Sequence, residues 1–165
     1  MKIKLMTIDD YEGAYALWLN TTGMGINSID DSKEGINKYL LRNPNTCFVA
    51  YDHIKLVGVI LCGHDGRRGF IYHMAVHESV RKMGIGRKLL NKSIMALQCE
   101  GIVKIACMVF TDNNLGNRFW DSVGINPRND IIYRDKMIIN AQQVDAPEPA
   151  TMVTPASQTL HWPAR

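Results

Sequence analysis

The feature that most restricts what this chain can fold into is an apolar run that ends in a basic, glycine-bearing turn and continues as an amphipathic stretch. Residues 70–76, Phe-Ile-Tyr-His-Met-Ala-Val, read as a strand, and Leu89, Leu90, Ile94 and Leu97 recur at the spacing of one helix face. Between them stands Arg81-Lys82-Met83-Gly84-Ile85-Gly86-Arg87. Gly84 and Gly86 have no side chain, so a ligand can come against the backbone there. The amides of Met83 to Arg87 are the first N–H groups of the helix, unpaired within it and at the positive end of its dipole. Arg81, Lys82, Arg87 and Lys88 add positive charge at the same place. The turn is therefore expected to bind a phosphate or pyrophosphate. Its spacing fits neither the P-loop, G-x-x-x-x-G-K-[ST], nor the dinucleotide fingerprint, G-x-G-x-x-G.

A chain of 165 residues holds one domain with a single sizeable core. The formal net charge of +3 suits an anionic ligand. It is too small, and too concentrated at one turn without aromatic stacking partners, to point to nucleic acid. No apolar run reaches membrane-spanning length and the first residues lack an apolar signal segment, so the expectation is a cytoplasmic protein with no membrane partner. Cys47, Cys62, Cys99 and Cys107 show no C-x-x-C spacing, which reads as reduced thiols and not as disulfides or metal ligands. No metal site and no G-x-S-x-G nucleophile elbow is expected.

Taken in order, 2–7 alternates like an edge strand, and a helix follows over 10–19. The polar, glycine-containing loop 20–25 ends it. Asp31 or Ser32 can cap a second helix, which Asn43-Pro44 stops at Arg42. Strands are expected at 47–51 and 55–62, and Asp65-Gly66 marks a hairpin into 70–76. After the helix that Gly101 ends come a buried strand at 102–110, a helix over 114–123 and a last hairpin, 125–128 with 131–139. From Ala141 the composition changes: the final stretch holds four of the six prolines and no lysine. The chain thus divides into a domain at 1–140 and a Pro-rich, non-core tail at 141–165.

The turn and its strand match R/Q-x-x-G-x-G/A after a strand ending in Ala75-Val76, and in this the chain resembles the GNAT superfamily of N-acetyltransferases. A second stretch, Asn113 to Ile125, resembles the family's N-x-x-A-x-x-(F/L)-Y-x-x-x-G-F signature. The resemblance covers 1–139. It implies an α/β (α+β) fold: a mixed, mostly antiparallel sheet of six to seven strands with helices on both faces. It also implies acetyl transfer from acetyl-CoA to a primary amine, of a small molecule or a protein, by direct attack in a ternary complex. The alternative is a non-catalytic module that binds or senses acyl-CoA. The implied partners are acetyl-CoA and an amine acceptor, with a homodimer left open.

The resemblance also assigns roles. Met74, Ala75 and Val76 would hold the pantetheine arm on free backbone groups, with the Met74 N–H as oxyanion donor. Arg81, Lys82, Met83, Gly84, Ile85, Gly86 and Arg87 would take the pyrophosphate, and Asn113 would reach the cofactor; the residues alone allow Asn113 to be a helix cap. Where the family usually has a tyrosine to protonate the leaving thiolate, this chain has Trp120, which is no practical acid and reads as a core or pantetheine-packing aromatic. Tyr72 and Tyr133 are then the candidate donors. Met108 stands where ribosomal-protein acetyltransferases place a glutamate. His73 is one position from Tyr72, so strand alternation predicts that it faces the other side of the sheet.

Overall fold

The structure, a computed structural model, describes residues 1–140 and 142–144. The apolar runs form β1 (Lys2–Leu5), the two-residue β2 (Ile26–Asn27), β3 (Phe48–Asp52), β4 (Lys55–His64), β5 (Gly69–Val76), β6 (Ile105–Cys107) and β7 (Gln143–Val144). The amphipathic runs form α1 (Tyr11–Leu19), α2 (Lys33–Arg42), α3 (Ile85–Cys99) and α4 (Asn114–Ser122). Local signals set the ends of these helices. Ser32, not Asp31, caps α2 by accepting from the Gly35 N–H at 3.0 Å. Gly84 caps α3 with φ of 76°, a left-handed conformation that favours glycine.

Five strands make one sheet in the order β1-β3-β4-β5-β6. All neighbours run antiparallel except β5 and β6, which are parallel. β4 lies at the centre and its residues from Leu56 to Gly63 are buried, as expected of a strand covered on both faces. On one face α1 and α2 pack Ala14, Trp18 and Ile36 against Val49, Val59 and Leu61. On the other, α3 and α4 pack Ile85, Leu89, Leu97 and Trp120 against Ala50, Ile60 and Ile71. No described helix is long and apolar enough to cross a membrane.

The mixed sheet with helices on both faces is the expected fold class, but the strand count differs. The stretch 102–110 forms a strand only at Ile105–Cys107. Ile102 is buried while Val103, Met108 and Phe110 are exposed. Pairing ends at Ile71↔Cys107, directly before a β-bulge in β5, and a bulge breaks a ladder locally. The last hairpin, at 125–128 and 131–139, has no strands. Arg128 folds back on Asp130 through two bonds of 2.6 Å, so the turn forms. The runs beside it have no ladder, because the edge they would extend, β6, is three residues long. Beyond 140, β7 pairs with β2 through Ile26↔Val144 and Asn27↔Gln143. The rest of the expected tail lies outside the described residues.

Candidate active site

β5 and β6 part after Ile71↔Cys107, while β5 goes on pairing with β4 as far as Val76. Among the described residues, this leaves one edge of Met74, Ala75 and Val76 without a strand. Hydrogen bonding along β4 decides which backbone groups face that gap. The His77 N–H donates to the Val57 carbonyl at 2.8 Å, so Val57 and His77 are a hydrogen-bonded pair. In an antiparallel ladder such pairs alternate. Gly58↔Val76 and Ile60↔Met74 are therefore the non-bonded pairs, and the N–H groups of Met74 and Val76 point away from β4 into the gap. The Val76 carbonyl points the same way and accepts from Arg81 Nε at 3.1 Å.

The glycine turn closes the wide end of the gap. Arg81 is bound to Val76, and Arg87 Nη2 donates to the Ser122 carbonyl at the end of α4, 3.1 Å away. Lys82 and Lys88 make none of the described ion pairs, and the first turn of α3 has no acidic residue to offset its positive end. The two glycines differ. A Cβ on Gly84 would meet nothing within 4 Å, so its backbone is open. One on Gly86 would come within 3.1 Å of Met74 Cε and 3.2 Å of the Phe119 ring, so this glycine lets α3 approach β5 and α4. Met83 is exposed and Ile85 is buried.

Asn113 caps α4: its Oδ1 accepts from the Gly116 N–H at 2.8 Å, and its Nδ2 lies 3.5 Å from the Gly23 carbonyl. The loop at 20–25 therefore reaches across to the β6–α4 connection. Trp120 is buried, with its ring 5.0 Å from that of Phe119, in the core between α3 and the sheet.

The narrow end of the gap contains the one large surprise. One step along β4, Leu61 to Cys62, spans two on β5, from His73 to Ile71, so Tyr72 is the extra residue of a bulge. A bulge interrupts strand alternation. Tyr72 meets Tyr39 of α2 edge-on, ring centroids 5.6 Å apart, and His73 lies 4.9 Å from the Trp18 ring of α1. Both thus face the α1–α2 side, which corrects the expectation that they face opposite sides. His73 Nε2 lies 2.6 Å from Asp31 Oδ1, and both residues are buried. Asp31 is available for this contact because Ser32 caps the helix. Its Oδ2 accepts from the Asn27 N–H at 2.8 Å and its carbonyl accepts from the Tyr11 hydroxyl at 2.9 Å.

Tyr72 is exposed, and the partial desolvation of its phenol raises it above its ordinary value, with Tyr133, Asp30 and Asp65 adding to the rise. Tyr133 is itself exposed. Tyr72 stays protonated at neutral pH, able to donate a proton. Burial pushes the thiols of Cys47 and Cys62 up to about 12 and that of Cys107 up to about 11, which disfavours a thiolate nucleophile. All four cysteines are free, and Cys99 is exposed. Sequence reasoning missed the Asp31–His73 pair; proximity to Tyr72 was visible, but neither the bulge nor a partner 42 positions away was.

The family model of the Acetyltransferase (GNAT) family matches residues 12–125. An acetyltransferase of Pectobacterium atrosepticum is 31% identical over 114 residues, 69% of this chain and 79% of that protein. An acetyltransferase of Sodalis glossinidius is 27% identical over 143 residues, 87% of this chain and 99% of that protein. Among solved structures, the PaiA N-acetyltransferase of Thermoplasma acidophilum, in complex with coenzyme A, superposes with a TM-score of 0.65 at 17% identity. That match covers 74% of this chain and 87% of the other.

Proposed function

The chain belongs to the acetyltransferase (GNAT) family, and on that premise we propose that it moves an acetyl group from acetyl-CoA to a primary amine by direct attack in a ternary complex. The observation that carries this reading is the unpaired edge of β5, with the N–H groups of Met74 and Val76 facing the gap beside an α3 N-terminus without acidic residues. The solved neighbour with coenzyme A supports the identity of the ligand. Acetyl-CoA supplies an activated thioester. The residues that would hold it are Met74, Ala75 and Val76 along the arm and Arg81 to Arg87 at the phosphates, with Gly84 as the open backbone position. The Met74 N–H is fixed in direction by the ladder, as an oxyanion donor must be. Most of the rate would come from holding the amine against the carbonyl, since the thiols are poor candidates for an acyl carrier. Tyr72 is the proton donor for the departing sulfur, and Tyr133 the second candidate.

A non-catalytic acyl-CoA-binding module is the second reading. It is favoured by Trp120, which occupies the usual tyrosine position and is buried as packing. Two measurements separate the readings: acetyl-CoA binding by calorimetry, and release of free CoA thiol in the presence of primary amines. Binding together with amine-dependent release supports the transferase; binding without release from any amine supports the module.

A further inference from the structure

The structure assigns His73 and Asp31 as a proton-accepting dyad, with His73 Nδ1 taking the proton that an ammonium acceptor must lose and Asp31 as its positioning residue. This rests on the transferase reading and adds to it the base that sequence motifs left open.

Asp31 and His73 stand 2.6 Å apart with side chains only 6% and 10% exposed. A carboxylate buried this deeply is costly unless its oxygens are satisfied. Asp31 is satisfied on both oxygens, by His73 and by the Asn27 N–H. Asn27 lies on β2, which β7 braces, so the carboxylate is held from two directions. Next, the Asp31 contact uses Nε2, and none of the described hydrogen bonds uses Nδ1. A carboxylate on one ring nitrogen fixes the proton there and leaves the other as a lone pair. Finally, the bulge puts Tyr72 on the face of its neighbour His73, and His73 directly precedes Met74, whose N–H faces the gap. His73 pairs with Leu61 and Ala75 with Val59, all on the α1–α2 side, and the bulge brings Tyr72 round to join them.

The surroundings are polar for a core. The Trp18 indole N–H, 0% exposed and beside His73, has no hydrogen-bond partner among the described residues. The other titratable groups around the dyad are Tyr11, which donates to the Asp31 carbonyl, and Tyr72 with Asp30 at the mouth.

His73 Nδ1 accepts one proton from the acceptor ammonium. The freed lone pair forms the C–N bond, the C–S bond breaks as Tyr72 gives its proton to the sulfur to yield free thiol, and the second N–H proton restores the Tyr72 phenol. His73 then returns its proton to solvent.

The test compares two small acceptors that make no demand on pocket shape. Ethylamine is protonated at neutral pH and needs a base; hydroxylamine is largely neutral and does not. In the full-length protein, His73→Gln is expected to lower CoA release with ethylamine by about 10²-fold. Hydroxylamine should stay within about threefold, and acetyl-CoA affinity should not change. Asp31→Asn, a shape-preserving change, should produce the same selective loss. Independently of turnover, the ¹⁵N imidazole spectrum of the wild-type protein should place the neutral-form proton of His73 on Nε2. A proton on Nδ1, or equal loss or retention with both amines in variants that still bind acetyl-CoA, overturns the dyad while leaving the transferase reading intact. Binding without release from the wild-type protein and either amine overturns both.

Discussion

On the α3 side of β5, Ile71, Met74 and Val76 join Ile85, Leu89 and Trp120 in an apolar packing, and at the strand's free edge the N–H groups of Met74 and Val76 face the gap. On the α1 side, His73 and Asp31 are buried together beside an indole N–H without a described partner, and Tyr39 and Tyr72 cross edge-on. Among the described residues, the buried carboxylates and imidazole, Asp10, Asp31 and His73, all lie towards α1 and α2. One strand thus separates two kinds of construction. Backbone donors fixed by a ladder suit a ligand arm that is the same in every turnover, because strand geometry aims them without any particular side chain. The buried titratable side chains, which a few substitutions can alter, lie on the other face, where the proposed acceptor side is.

Four substitutions at three positions would break or sharpen this contrast. The largest effect is expected from Trp120→Ala, which empties the core between α3 and the sheet. It should lower stability by about 3–5 kcal/mol in urea denaturation. A loss below about 1 kcal/mol would mean that Trp120 is not packing and that the α3 face has a use for its side chain.

Tyr72→Phe comes next. It leaves the ring against Tyr39 but removes the hydroxyl, and should lower kcat for CoA release by about 10²-fold without changing acetyl-CoA affinity. Trp120→Tyr tests the same donor from the other face. If it raises kcat while Tyr72→Phe does not lower it, Tyr72 is only a wall of the acceptor side and the contrast between faces fails.

The smallest effect is expected from Gly86→Val. It should raise the acetyl-CoA Kd about tenfold, roughly 1.4 kcal/mol. Because its Cβ would press on Met74 and Phe119, stability should fall as well. Unchanged binding in a folded variant would move the phosphate site away from this turn.

Local chemistry was legible in the sequence because it acts within a few residues. The strand, glycine turn and helix around Gly84, the cap at Asn113 and the helix end at Gly101 each follow from a preferred dihedral or a side chain bonding three positions on. The residues proposed to hold acetyl-CoA belong to this class. The other side of the site was not legible. Whether Tyr72 and His73 share a face depended on one residue of slip between β4 and β5, which strand alternation cannot register. That Asp31 would meet His73 depended on packing between elements 42 residues apart. The apolar run at 131–139 has the composition of a strand, but strand formation needs an edge to pair with, and β6 offers three residues. Sequence alone determined the strand, glycine turn and helix start at which an anion is expected, through forces that act along the chain; only the tertiary structure decided which side chains share a face of β5, because that is settled by register between strands.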